Sequence, residues 1–293
     1  MNERTQHRHL MSYGMYILSL LIFGTNGYIV SHISIESSQI VLMRTLLGGI
    51  ALTLLVLLRG GFDKNSIRAE RFPLLLGGIV LGLNWVALFE AYRQLNVSLA
   101  TLIYYVGPIL VLLLSPILFH EPLTKRKILS VIIVAGGLVC ISGSIVVTGM
   151  PPTGILLAML SAICYSFLII FNKKIVRTPG MQTAAIELDA AFAVVLIYTL
   201  CTAGIPNITT VDLPYILIIG LVNTALAYLL YFSGLQKLSG QSVALISYID
   251  PVSALLFSAL LLHEAMTPVQ MIGAVAIIGG AMFGESRRKE TAM

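Results

Sequence analysis

Residues 74–140 and 217–283 align without a gap at a constant offset of 143, and the polar punctuation of the two stretches coincides. Tyr105 falls on Tyr248, Pro108 on Pro251, Ser115 on Ser258, His120 and Glu121 on His263 and Glu264, and Thr124 on Thr267. Gly136 and Gly137 fall on Gly279 and Gly280. Chance matching of apolar residues does not align a proline, a His-Glu pair and a double glycine together. A chain that contains one unit twice must fold into two similar bodies. In a membrane, such bodies are expected to meet around a shared site.

Composition identifies the solvent. The chain is 57% hydrophobic and only 11% charged over 293 residues, with a mean hydropathy of +0.94, whereas a soluble domain is roughly 25% charged. Runs of roughly 20 apolar residues cross a bilayer as helices. Ten are expected, at about 11–30, 39–58, 73–92, 98–119, 127–147, 154–172, 183–203, 214–233, 241–262 and 268–284. The fold class is therefore all-α integral membrane, with residues 1–150 and 151–293 as two five-span repeats. The connections are short and leave no room for an inserted soluble domain. The first span follows a basic start, Arg4 and Arg8, as a signal peptide would. It is too long and lacks a small-residue cleavage site, so it is expected to be retained. Cys140, Cys164 and Cys201 lie in or at the ends of apolar spans and suggest neither a disulfide framework nor a metal cluster.

Lysine and arginine set the orientation, because cytoplasmic loops retain positive charge. With alternate sides assigned, sixteen of the eighteen Lys and Arg residues fall on one side, Arg93 alone on the other, and Arg44 within a span. Both termini are expected in the cytoplasm, with the protein multi-pass in the cell membrane. The excess of positive charge, with a pI near 9.1, is spread over short loops and forms no basic face. Lipid headgroups, not nucleic acid, are its expected partner. Five spans per copy is an odd number, so the second copy must be inverted relative to the first.

The chain resembles the ten-span EamA-type branch of the drug/metabolite transporter superfamily, over nearly its whole length. The resemblance is carried by Tyr-Val-Gly-Pro (105–108) and Tyr-Ile-Asp-Pro (248–251), and by His-Glu-Pro-Leu-Thr and His-Glu-Ala-Met-Thr, each followed by Gly-Gly. Phe-Gly-Thr-Asn (23–26) and Met-Arg (43–44) match the family's opening signatures. The resemblance implies export, less often uptake, of small metabolites such as amino acids, sugars or amphipathic drugs. One departure is that Glu187 stands where the offset from Arg44 lands, so the halves differ in chemistry.

Candidate site residues follow from what a bilayer tolerates. Proline inside a transmembrane helix removes a backbone donor, so Pro108 and Pro251 are expected kinks, with the carbonyls of Tyr104 and Ser247 freed as ligand acceptors. A charge near the bilayer centre costs on the order of 3 kcal/mol. Arg44, Glu90, Glu187, Asp189 and Asp250 lie within spans, and Asp250, beside Pro251, lies deepest. Asp250 is a candidate for both substrate binding and proton coupling. Arg44 is a candidate substrate contact, with Glu90 either its partner or the partner of Arg93. Glu90, Glu187 and Asp189 are candidates for coupling or gating, although a carboxylate at the start of span 7 also suits the helix N-terminus. Asn26, Asn84, Trp85, Tyr104, Tyr105, Tyr228 and Tyr248 complete the candidate substrate pocket, since buried polar groups need partners.

Other chemistries are weak. His-Glu-x-x-His would bind zinc, but the fifth residue here is Thr124 or Thr267. These threonines are expected to cap spans 5 and 10. Without a phosphate-binding Gly-x-x-x-x-Gly-Lys loop, nucleotide hydrolysis cannot drive the cycle within this chain. No cofactor or metal is implied. A membrane-embedded enzyme would need a clustered nucleophile and base, and a channel a continuous polar stripe. Gly48, Gly49, Gly78, Gly82, Gly280 and Gly284 suit close helix packing. They also leave room for a homodimer through span 5 or 10. The expectation is a carrier for a small polar or amphipathic molecule, exporting by alternating access, with import or facilitation by the same fold as the alternative. Spans 1–4 and 6–9 are expected to line its cavity, with spans 5 and 10 peripheral.

Overall fold

The computed structural model describes residues 3–95, 97–142, 151–263 and 266–285, and the described part is helical. Span 1 comprises Glu3–Gly24 and Asn26–Val30, span 2 Ser37–Leu58, span 3 Lys64–Gln94, span 4 Val97–Tyr104 and Val106–Leu118, and span 5 Lys125–Ser142. Span 6 is Pro152–Lys174 and span 7 Gly180–Thr202. Span 8 joins Asp212–Gly220, a π-helical turn Leu221–Leu226 and Ala227–Leu235; span 9 joins Gly240–Ile246 and Ile249–Leu261; span 10 is Pro268–Glu285. Nine of these are long and apolar enough to cross a membrane, and Lys125–Ser142, also 18 residues long, differs by opening on Lys125, Arg126 and Lys127. The expected tail of span 5, Glu264 and both chain ends lie outside the described residues.

Hydrogen bonds sort the helix ends into two sets. At one end, Tyr13, near the start of the apolar stretch Leu10–Val30 of span 1, donates to Glu285 at the end of span 10. There too Gln241 at the start of span 9 donates to the Glu121 carbonyl after span 4, and Lys173 at the end of span 6 reaches the Leu238 carbonyl after span 8. At the other end, Thr153 at the start of span 6 bonds Gln94 at the end of span 3, and Gln39 at the start of span 2 bonds the Ala203 carbonyl after span 7. Spans 1 and 6, the first of each half, therefore start at opposite ends. The halves are inverted, and the first set of ends carries the Lys- and Arg-rich loops.

Two carboxylates fasten the halves together in the same way at opposite ends. Pro73 cannot bond the carbonyl four residues back, and span 3 leaves helical geometry at Glu70 (φ −115°, ψ 18°). The Glu70 side chain there accepts from the backbone of Val176, Arg177 and Thr178 and from the Thr178 hydroxyl, at 2.8–2.9 Å. It thereby clamps the loop between spans 6 and 7. Asp212, at the start of span 8, accepts from Ser34 N at 2.8 Å and from the hydroxyls of Ser34 and Thr209. It clamps the loop between spans 1 and 2. Under the repeat, span 3 becomes span 8 and spans 6 and 7 become spans 1 and 2, so each third helix holds the other half's first loop.

Spans 5 and 10 cross on backbone. A methyl group on Gly137 would lie 2.7 Å from the Gly273 carbonyl, and one on Gly273 would lie 2.6 Å from the Gly137 carbonyl. The repeat-related pair is Gly280 against Ser130, whose hydroxyl donates to the Gly280 carbonyl at 2.6 Å. Gly136 and Gly279 have open space around them. The small residues of these two spans are thus spent on each other. Gly78 and Gly82 bring span 3 onto span 7, and Gly48 brings span 2 onto Thr224 of span 8. Thr124 and Thr267 accept from the amides three residues on, Lys127 and Gln270, as N-caps do. His120 and His263 share a left-handed backbone (φ 55° and 56°), so the duplication extends to a costly conformation.

Candidate functional site

The helices of spans 4 and 9 break at matching residues, Tyr105 (φ −73°, ψ 2°) and Tyr248 (φ −71°, ψ −3°). Pro108 and Pro251 stand three residues later, in the first turn of each second segment, where a missing N–H leaves no intrahelical bond unmade. Of the two carbonyls expected to be free, that of Ser247 is taken. The Ser247 carbonyl accepts from Asp250 N, and the cross-helix acceptor is the Tyr105 carbonyl, one residue after Tyr104, which receives the Tyr248 hydroxyl at 2.8 Å. In return, the Tyr105 hydroxyl donates to Asp250 at 2.9 Å. Asp250 lies in the first turn of its segment, where unpaired amides favour a carboxylate.

Asp250 is partly exposed within the bundle, and phenols surround it. Its partner Tyr105 lies 6.0 Å, ring to ring, from Tyr248. The Tyr104 ring stands edge-on to Tyr105 and to Tyr165, each at 5.3 Å. Trp85 meets Tyr228 edge-on at 5.7 Å, and Phe23 lies 5.1 Å from the same tyrosine. The buried Tyr231 hydroxyl makes no hydrogen bond that meets normal geometry, although the phenols of Tyr16 and Tyr165 stand close.

Arg44 reaches this group through Trp85, which meets both the guanidinium and the Tyr228 ring. It is 8% exposed. Its Nε donates to Thr224 Oγ1 at 2.9 Å, its Nη2 donates to the Asn223 carbonyl at 3.2 Å, and its guanidinium lies 5.3 Å from the Trp85 ring centre. Both acceptors belong to the π-helical turn, a distortion common at functional sites. Within it Thr224 donates to the Ile219 carbonyl five residues back. Asn223 donates to the Ile22 carbonyl, Thr25 Oγ1 and Asn26 Oδ1, which ties this turn to the break in span 1.

The end of the bundle that carries the basic loops is sealed between spans 4 and 9. Glu121 accepts from the amides of Gly240 and Gln241 at 2.8 and 3.0 Å. Gln241 donates to Ser115 at 2.6 Å and is bonded by Lys127, and the Phe119 ring fills the space where Gly240 lacks a side chain.

The profile of the EamA-like transporter family matches residues 10–143 and 152–283, one copy for each half. The chain belongs to the EamA-like transporter family. The uncharacterized transporter YxxF of Bacillus subtilis is 26% identical to this EamA-like chain over 93% of it and 89% of its own length. Protein PecM of Dickeya dadantii is 27% identical over 73% of the chain and 75% of its own. The threonine/homoserine exporter RhtA of Escherichia coli K12 is 26% identical over 73% and 71%. A crystal structure superposes with a TM-score of 0.82 over 94% of this chain and 97% of its own, at 19% identity, which is a likeness of fold. This EamA-like protein is thus a multi-pass membrane transporter of small molecules.

Of the residues singled out in the EamA-like sequence, Asp250, Tyr104, Tyr105, Tyr228, Tyr248, Trp85, Arg44 and Asn26 come together at the centre. Asn84 is buried and donates to the Ser161 carbonyl and hydroxyl, joining span 3 to span 6. Glu90 does not meet Arg44; it pairs with Arg93 at 2.9 Å and with Tyr198. Glu187 is fully buried and accepts from the Asn172 amide at 2.9 and 3.0 Å, in a space left by Gly77. It packs between spans 3, 6 and 7 and caps no terminus. Asp189 is exposed on the outer face of the bundle, bonded to Thr53 at 2.9 Å. Sequence reasoning passed over Asn223, Thr224, Tyr165 and Tyr231. The signal for the first two was present, since Asn-Thr is a polar pair inside an otherwise apolar span.

Proposed function

We propose that this transporter exports a small polar or amphipathic metabolite by alternating access, with a proton taken up and released at Asp250. The two repeats, residues 1–150 and 151–293, act as the bodies that rock, and the substrate lies between them. The single observation that supports this reading is the bond from Tyr105 to Asp250 at 2.9 Å, because it joins the broken helix of one half to the broken helix of the other. A substrate inserted there changes the contact between halves. Displacement of a hydroxyl from a carboxylate also changes how tightly that carboxylate holds a proton. The end with the basic loops faces the cytoplasm, which places both termini there and the protein in the cell membrane.

The test is flux in proteoliposomes. Wild type is expected to show saturable counterflow of a labelled metabolite, and flux driven by a pH gradient. Asp250→Asn keeps counterflow and loses the gradient dependence. Gradient-driven flux that survives the substitution removes Asp250 from coupling. Import by the same fold is distinguished by metabolite profiling of the medium of overproducing cells, and chemical conversion of the substrate would indicate an enzyme.

A further inference from the structure

Resting on the carrier reading above, we infer that the transported molecule bears a carboxylate and that Arg44 seats it. Burial shows why Arg44 is unusual: it is the one Lys or Arg buried among the described residues. A buried guanidinium is retained when something compensates its charge. Among the described residues the sole ion pair is Arg93 with Glu90, so no carboxylate lies within bonding distance of Arg44. Its protein acceptors, Thr224 Oγ1 and the Asn223 carbonyl, are neutral.

The geometry shows which donors are available. A guanidinium has five N–H donors in a planar fork. Thr224 and Asn223 occupy the edge formed by Nε and Nη2, and Trp85 covers a face. Nη1 makes no bond to a described residue, and Nη2 carries a second N–H besides the one given to Asn223, so donors remain for a carboxylate, which guanidinium groups take in two parallel hydrogen bonds. The π-helical turn of span 8 presents both neutral acceptors, and Asn223 anchors that turn to span 1 by three bonds. The arginine is therefore held in plane before a ligand arrives, which lowers the ordering cost of binding. A carboxylate fits better than a phosphate. One guanidinium balances one negative charge, and a phosphate dianion would leave a second charge buried where, among the described residues, no other Lys or Arg is buried.

The experiment uses the full chain in proteoliposomes loaded with an equimolar mixture of leucine, threonine, phenylalanine, succinate, glucose, glucose 6-phosphate and the amides of the three amino acids. Efflux is read by mass spectrometry against protein-free vesicles. Wild type is expected to release carboxylates and to discriminate against their amides by at least about tenfold, a comparison that needs no variant. Arg44→Gln loses carboxylate efflux, and Arg44→Lys, which keeps the charge but lacks the fork, recovers part of it. Release of only carboxylate-free compounds by wild type overturns the assignment and leaves the carrier reading intact. So does an Arg44→Gln protein that elutes as a folded species and moves carboxylates at the wild-type rate. If wild type releases neither these compounds nor any component of a loaded metabolite extract, the carrier reading fails together with the assignment.

Discussion

Single residues in this bundle divide by whether their partners are near or far in sequence. Asp250, Tyr105 and Tyr248 were legible because the repeat marks them and because a carboxylate deep in an apolar span demands an explanation. Asn84 carried the same kind of signal and turned out to bond span 6, since a polar residue in a span announces a partner without naming it. Glu70 and Asp212 were not singled out at all. They sit at helix starts, where acidic residues are ordinary, and only the fold shows that each holds a loop of the other half. Their worth can be measured. Glu70→Gln places an amide donor against amides that need an acceptor, and is expected to lower stability by about 2 kcal/mol. Asp212→Asn should act similarly at the other end. Thermal unfolding in detergent reads both, and an unchanged midpoint for Glu70→Gln would show that its four hydrogen bonds contribute nothing net.

At the scale of the helix, hydropathy located the spans well and their interruptions less well. Pro108 and Pro251 advertised the breaks in spans 4 and 9, although the chain bends three residues earlier, because proline is comfortable in a first helical turn. The break at Thr25 in span 1 had a weaker mark in Gly-Thr-Asn-Gly. The π-helical turn of span 8 had no breaker residue, as one extra residue per turn is set by packing and not by local propensity. The glycines of spans 5 and 10 give a sharp contrast. Gly137→Leu forces side-chain atoms into the backbone of span 10 and is expected to cost about 1–3 kcal/mol by overpacking. Gly136→Leu points into open space and should be neutral. Equal behaviour of the two in a detergent unfolding assay would mean that the crossing at Gly137 and Gly273 is looser than described.

For the whole molecule, the duplication and the odd span count were enough to anticipate inversion, and the hydrogen bonds between helix ends bear it out. The repeat also marked Glu187 against Arg44 as a difference between the halves, but not what such differences build. The seal at the end with the basic loops uses Phe119, Lys127 and Gln241, and the corresponding residues are Leu262, Gln270 and Ser98, none of which can reproduce it. Joint replacement of Lys127 and Gln241 by alanine is expected to open that end. With Cys140, Cys164 and Cys201 removed and cysteine placed at Ile249, a membrane-impermeant maleimide in inside-out vesicles should then react several-fold faster than in the parent. No acceleration argues against a seal there.

The glycine contact between spans 5 and 10 also bears on how a duplicated chain moves. Where two backbones touch without side chains between them, a small rotation disturbs few neighbours, so the enthalpy of turning about that point is low. Where spans 1 and 2 meet spans 7 and 8, by contrast, large side chains such as Tyr16, Leu52 and Leu188 pack in one buried cluster that resists sliding. The repeat supplies this close approach twice, at Gly137 with Gly273 and at Ser130 with Gly280, so turning between spans 5 and 10 meets the same low resistance on either side of the twofold axis.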